Sequence, residues 1–199
     1  MENSHHGNDP HVQLFNKIAC IYKIAFPYQI IRYRHIIKKN MHLFGLPAGA
    51  TVLDIGCGTG AFTFALREYG FRVTGIDAAK NMVELGIKED LDCKQGDVRV
   101  GLPFEDNRFD MVVSAFVAHG LTKPHRKQLF LETKRLAKHK VIFHDYNKTR
   151  GPLTDAVEWL EGGDYFNFIY SVEEELREFF RSVSMTNVAR QAAWYVCIP

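Results

Sequence analysis

The sequence predicts an α/β fold: a doubly wound sheet, mostly parallel with a C-terminal antiparallel strand, behind an N-terminal helical cap. Three observations carry this. From residue 50 onward short apolar runs alternate with amphipathic segments. The runs are apolar throughout rather than alternating with polar residues, as strands covered on both faces require. A cluster of glycines then follows the first run, where a strand must turn tightly into a helix.

Taken in order, Leu14, Phe15, Ile18 and Ile21 recur at helical spacing, and Pro27 is expected to divide this helix from a second one reaching Phe44. Gly45 and Pro47 supply a stop. Thr51-Val52-Leu53-Asp54-Ile55 is a β-branched run too short for a helix, and Phe62, Ala65, Leu66 and Tyr69 form a helical stripe capped by Gly70. Strands are expected over 71–77, 91–95 and 109–113, with a short helix through Met82 and Leu85 between the first two. Pro124 opens a helix with Leu129, Phe130, Thr133, Leu136 and Ala137 as its stripe, and Lys134, Arg135, Lys138 and Lys140 crowd its end. Val141-Ile142-Phe143 is a fifth strand, Ser171-x-x-Glu174 reads as a capping box, and 185–190 and 192–198 read as closing strands. The expected domains are a disordered polar tail over 1–11, the cap over 12–44, and the main domain over 45–199 with an insertion at 147–170.

Composition narrows the function. The 25 Lys+Arg against 23 Asp+Glu leave a net charge of +2, which gives no electrostatic footprint for nucleic acid. Cys20, Cys57, Cys93 and Cys197 lie far apart, so reduced thiols are expected and no metal site. His5, His6 and His11 belong to the polar tail. No apolar run approaches the roughly 20 residues that cross a bilayer, and a cytoplasmic location is expected. Within 28–44, Arg32, His35 and Lys39 share a face. A solvated basic face is the plainer reading, and contact with a membrane surface or anionic substrate the sharper one.

The informative stretch is Leu53-Asp54-Ile55-Gly56-Cys57-Gly58-Thr59-Gly60-Ala61. Its Gly56-x-Gly58-x-x-Ala61 also satisfies the dinucleotide fingerprint, and Asp77 stands where an NAD-binding acid is expected. Glycines alone leave the cofactor open. Three further features separate the readings. Asp54 puts a carboxylate at the mouth of the first strand, poorly placed beside a pyrophosphate and well placed beside an ammonium or sulfonium. Gly96-Asp97-Val98 follows the third strand, and Leu102-Pro103-Phe104 leads into Phe109-Asp110-Met111-Val112-Val113-Ser114. No second glycine-rich half exists to hold a nicotinamide.

Together these residues resemble the class I S-adenosylmethionine-dependent methyltransferases, and more narrowly the small-molecule group that includes the ubiquinone/menaquinone-biosynthesis enzymes. The resemblance covers about residues 45–145, with motifs at four strand ends in the right order. Phe15-x-x-Ile18-Ala19-x-x-Tyr22 is similar to that group's N-terminal closing helix. The resemblance implies a Rossmann-like sheet, S-adenosylmethionine as cofactor (product S-adenosylhomocysteine), and a small-molecule methyl acceptor, in a monomer or homodimer. It implies that Asp54 and the Gly56, Cys57, Gly58 and Gly60 backbone hold the methionine part. Asp77, with Ala78 and Met82 beside it, would hold the ribose, Asp97 and Val98 the adenine, and Ala115 and Phe116 the region of the sulfonium. A helix or turn cap is the plainer role for Asp77 and Asp97.

A base is needed only if the acceptor is an oxygen, a carbon acid or a protonated amine. His119, after the fourth strand, and His144, Asp145 and Tyr146, at the end of the fifth, are the candidates. Residues 147–170 carry Trp159, Tyr165, Phe166, Phe168 and Tyr170, with Gly162-Gly163 as a candidate hinge. These aromatics either roof an acceptor pocket or fill core. Ser114-Ala115-Phe116-Val117 stands where base-amine methyltransferases carry Asn/Asp-Pro-Pro-Tyr/Phe. RNA or protein methylation by another route, a non-catalytic cofactor-binding scaffold and an NAD-dependent oxidoreductase are the rival readings.

Overall fold

The computed structural model describes residues 10–199. Residues 1–9, with most of the expected tail and with His5 and His6, lie outside the described residues. The helices are α1 (Pro10–Asn40), α2 (Ala61–Glu68), α3 (Lys80–Lys88), α4 (Lys123–Leu136), α5 (Pro152–Glu161) and α6 (Tyr165–Phe179). The strands are β1 (Thr51–Ile55), β2 (Arg72–Asp77), β3 (Asp92–Gln95), β4 (Phe109–Ala115), β5 (Ala137–Tyr146), β6 (Ser182–Ala189) and β7 (Ala192–Ile198). They form one sheet in the order β3-β2-β1-β4-β5-β7-β6. β1 to β5 run parallel and β7 antiparallel between β5 and β6.

Both faces of the sheet are covered. Val52, Met111, Val113 and Ile142 pack with Ile37 and Phe44, at and beyond the end of α1, and with Phe62 and Leu66 of α2. Their strand neighbours Leu53, Val112, Val141 and Phe143 point the other way, toward Leu129 and Phe130 of α4 and Phe168 and Leu176 of α6. Burial on both sides is why these strands read as unbroken apolar runs. Cys57, Cys93 and Cys197 are buried free thiols.

Four local expectations are corrected. Pro27 does not divide the N-terminal helices: it sits inside α1. An interior proline costs a helix about 3 kcal/mol. Here Val12 and Ala19 are buried against α3 on one side of Pro27, and Phe26 and Ile30 against Ala61 of α2 beside it, while Pro27 itself faces solvent. Ser171 does not cap a helix. It lies in mid-α6, where its hydroxyl donates to Glu175 at 2.7 Å. Ala137, Lys138 and Lys140 leave α4 and extend β5. The Lys140 ammonium then satisfies the carbonyl of Phe44, at 2.6 Å, beyond the end of α1 rather than of α4. The last two strands begin at Ser182 rather than Met185, which places Val183 in β6.

One buried ion cluster fixes the helical layer next to the strand tips. Arg126 of α4 is 1% exposed and binds Glu175 of α6 through Nε at 2.7 Å and Nη2 at 2.9 Å. It also donates to the Leu121 carbonyl at 2.7 Å and to Asp164, just ahead of α6, at 3.1 Å. Removing one partner leaves a buried charge uncompensated, a loss of about 3–5 kcal/mol. Arg126→Met is therefore expected to lower the urea-unfolding free energy by that amount, and adding Glu175→Leu to recover most of it. A loss under about 1 kcal/mol for the single variant contradicts the assignment.

Candidate active site

The strand order reverses between β1 and β4, and open α/β sheets bind ligands in the crevice beyond the strand ends at such a point. A cavity of about 410 Å³ lies there. The glycine loop forms its floor. Gly56 and Cys57 donate to the Ile76 carbonyl at 2.7 and 3.0 Å, which holds the loop against β2. Gly58 has φ +55°, and a Cβ there would meet nothing within 4 Å, so that space is open to a ligand. Past β4, Phe116 holds the left-handed φ of +55° and its N–H donates to the His144 carbonyl at 2.8 Å. This strained turn is costly for a non-glycine residue. It places the Phe116 ring 5.0 Å from Tyr146 and 6.2 Å from His119, centroid to centroid.

Four carboxylates line the cavity, and three of them, Asp54, Asp77 and Asp97, lie on β1, at the end of β2 and after β3. Asp54 is fully buried. One of its oxygens accepts from the Thr63 hydroxyl at 2.7 Å and Oδ1 has no hydrogen-bond partner. Burial lifts its carboxyl to about 7, the Thr63 bond opposing this and the charge of Asp77 adding to it. Asp77 accepts the N–H of Gly58 on one oxygen and that of Ala79 on the other, both at 2.8 Å, which leaves each oxygen a further lone pair. Its carboxyl is also raised by burial, against those two bonds. Asp97 is engaged by the Arg99 guanidinium at 2.7 Å and caps the turn through the Arg99 N–H at 2.9 Å. The capping role is thus real for both Asp77 and Asp97.

On the opposite wall Asp145, 1% exposed, is a knot of four bonds. Its Oδ2 accepts the N–H groups of Ala118 and His119 at 3.0 and 3.3 Å. Its Oδ1 accepts the Tyr146 N–H at 2.8 Å and stands 2.7 Å from His119 Nδ1. In the neutral imidazole, a proton on Nδ1 shared with Asp145 would leave Nε2 as the accepting nitrogen. Glu158 Oε2 of α5 lies 3.4 Å from that nitrogen and has no hydrogen-bond partner. Gly163 closes against the Gly120 backbone, where a Cβ would stand 2.8 Å from the Gly120 Cα, and the Asp164 N–H donates to the His119 carbonyl. The chain after β5 is thereby fastened to the loop that bears His119.

Of the residues expected to hold the cofactor, all line this cavity except Gly60, which caps α2 in the left-handed region and has Leu91 packed where a Cβ would project. Of the four base candidates, His119 and Tyr146 line the cavity, and Asp145 stands behind His119. His144 is a correction. It is boxed in by Tyr33, Phe62, Phe116 and Trp194, its Nδ1 accepts the Trp194 indole N–H at 2.8 Å, and burial presses it down to about 4. It stays neutral with its proton on Nε2, so it has no basic nitrogen to offer. Of the two readings left open for the aromatics of 147–170, the roof is not what the structure shows, for none of the five lines the cavity. Tyr165 and Phe168 fill core, Trp159 and Tyr170 face solvent, and the residues of 147–170 that reach the cavity are Val157 and Glu158. Glu158 and Tyr33 also line the cavity, which the sequence did not reveal because helical spacing shows nothing of what a helix faces after the chain folds. Arg32 is the one member of the basic face that reaches it.

Asp54 gives a measurable signature. Its folded carboxyl holds a proton to about 7 while the unfolded one loses it near 4, so folded-state stability falls as pH rises across that window. The full span is about 4 kcal/mol. His144, depressed by burial, works in the opposite direction at the lower end, so a difference measurement is needed. The stability of Asp54→Asn minus that of the wild type is expected to grow by about 2–4 kcal/mol between pH 5 and 7.5 in urea titrations. A flat difference contradicts the burial argument.

Comparison with known proteins agrees with the geometry. The methyltransferase domain family matches residues 53–144. The demethylmenaquinone methyltransferase of Staphylococcus aureus is 31% identical over 182 residues, covering 76% of this chain and 74% of that protein. A Pyrococcus horikoshii protein of solved structure superposes with TM-score 0.68 at 21% identity, covering 82% of this chain and 88% of that one. A SAM-dependent methyltransferase from Aquifex aeolicus does so with TM-score 0.64 at 22% identity, covering 81% and 88%. A strand-tip crevice with carboxylates on β1, on β2 and after β3, joined to a relative that covers most of both chains, makes this chain a member of the class I S-adenosylmethionine-dependent methyltransferases.

Proposed function

We propose that the chain methylates a small-molecule acceptor carrying an acidic hydroxyl, a phenol or hydroquinone, with His119 as the base and Asp145 as the residue that positions it. The carrying observation is the 2.7 Å contact between His119 Nδ1 and Asp145 Oδ1, at the side of the cavity that His119 lines. Similarity to a demethylmenaquinone methyltransferase supports the same acceptor class.

The donor set fits S-adenosylmethionine. When bound, that cofactor supplies an activated methyl group on a positively charged sulfur. Asp54 offers an unpartnered carboxylate oxygen for the ammonium of the methionine part, and the open face at Gly58 lets the backbone come close. Asp77 retains lone pairs for the ribose hydroxyls. Val98 addresses the adenine, with Asp97 available to the amino group when Arg99 turns aside. Ala115 and Phe116 bound the region between cofactor and acceptor.

His119 Nε2 takes the hydroxyl proton of the acceptor, which raises the electron density at the oxygen and at the adjacent ring carbon. The imidazolium so formed lies between Asp145, 2.7 Å from Nδ1, and Glu158, 3.4 Å from Nε2. The walls given by α1 and α5, which we take to be the cap and the lid, exclude water and align the acceptor.

The test is transfer of a labelled methyl group from S-adenosylmethionine to a panel of naphthohydroquinones, phenols and amines. Hydroquinones are expected to turn over. His119→Asn is expected to lower kcat by about 10²–10⁴ with unchanged S-adenosylhomocysteine affinity. An unchanged kcat removes the base, and turnover of amines alone removes the acceptor class.

A further inference from the structure

We propose that the α1–α5 rim of the cavity is a docking surface for an anionic lipid bilayer. Residues Pro10–Asn40 form a 31-residue helix with six Lys and Arg and no Asp or Glu, in a chain whose net charge is only +2. Ile24, Tyr28 and Ile31 of that helix recur at i, i+4 and i+7 and are 83%, 64% and 60% exposed. On α5, Leu153, Val157 and Leu160 repeat the same spacing and are 80%, 42% and 75% exposed, with Trp159 beside them at 72%. Two apolar stripes in one protein are unusual. The remaining exposed apolar residues, such as Ile87, Val100 and Leu131, stand singly on other elements, as surface residues normally do.

The stripes belong together because their helices border the same cavity, α1 through Arg32 and Tyr33 and α5 through Val157 and Glu158. The apolar side chains and flanking Lys and Arg of α1, joined to an α5 stripe that carries no cation of its own, and with amphipathic Tyr28 and Trp159 among them, are what an interfacial surface presents to headgroups and upper acyl chains. The cations supply attraction to anionic lipid, and their long stems let the charges stay in the headgroup layer. Arg34 is drawn back onto Glu68 of α2, so the charge facing outward is that of Lys23, Arg32, Lys38 and Lys39. A second copy of the chain fits poorly: a two-fold contact of α1 with α1 brings cations to a helix that has no acid to pair with them. The surface goes beyond the acceptor assignment and does not require it.

The full chain is sedimented with phosphatidylcholine vesicles and with phosphatidylcholine–phosphatidylglycerol vesicles, and tryptophan emission is recorded. Partition into the anionic vesicles is expected to be at least about tenfold stronger and to weaken with salt. The emission is expected to shift to the blue through Trp159, with Trp194, fully buried, giving a constant background. Ile31→Asp with Leu160→Asp, and separately Lys38→Glu with Lys39→Glu, are expected to lower partition at least about tenfold while S-adenosylhomocysteine affinity is unchanged. Absence of partition, equal partition into both vesicle types, insensitivity to these variants, or a dimer in solution abolished by Ile31→Asp would each overturn the proposal. Loss of S-adenosylhomocysteine binding by the wild type would instead overturn the cofactor assignment and leave the vesicle result standing.

Discussion

The site depends on a carboxylate held where water does not reach it. Asp54 ends β1 with one oxygen tied to Thr63 and the other with no partner. An isolated buried carboxylate answers its surroundings by keeping its proton, which is why this carboxyl is pushed up to about 7. A bound cation reverses that preference. Among the described residues three buried side-chain polar atoms lack a partner, and two of them, Asp54 Oδ1 and Glu158 Oε2, belong to residues that line the cavity. Native structures leave few such atoms, and their concentration in one crevice marks where a ligand completes the hydrogen bonding.

The rest of the architecture serves to hold opposing walls rigid. The glycine loop is bonded to β2 and Asp77 is bonded to both the loop and the start of α3, so this wall of the cavity is one connected unit. Asp145 does the same for the other side, taking N–H groups from the loop after β4 and from its own strand while orienting His119. Arg126 then locks α4, the Leu121 carbonyl and α6 to each other behind that loop. Methyl transfer from an already activated donor asks chiefly for alignment and exclusion of water, and a frame of this kind supplies both.

The central sheet was legible because its strands are covered on both sides and therefore apolar throughout, as Val112 and Val113 illustrate by packing into opposite layers. The placement of Asp54 and Asp77 at the cavity was legible because an open α/β sheet has its crevice at the strand ends, where both fall in the sequence. Local signals failed where tertiary contacts outweighed them. Pro27 is carried through α1 by burial on α2 and α3, and Ser171-x-x-Glu174 matches a capping box by chance inside α6. His119 and His144 look equivalent along the chain, yet a bond from Trp194, fifty residues away, takes the basic nitrogen of His144 while His119 pairs with Asp145. Glu158 could not be seen at all, since its segment is fastened to the site by tertiary contacts, the closure of Gly163 on Gly120 and the bond from the Asp164 N–H to the His119 carbonyl.

The most direct test is calorimetric titration of S-adenosylmethionine near pH 6.5 in two buffers of different ionisation enthalpy. If the ammonium of the ligand meets a protonated Asp54, binding drives that carboxyl to ionise, and a sizeable fraction of a proton is released to the buffer. The release is expected to vanish in Asp54→Asn. Binding with no proton exchange in the wild type, or an unchanged release in the variant, would contradict the account.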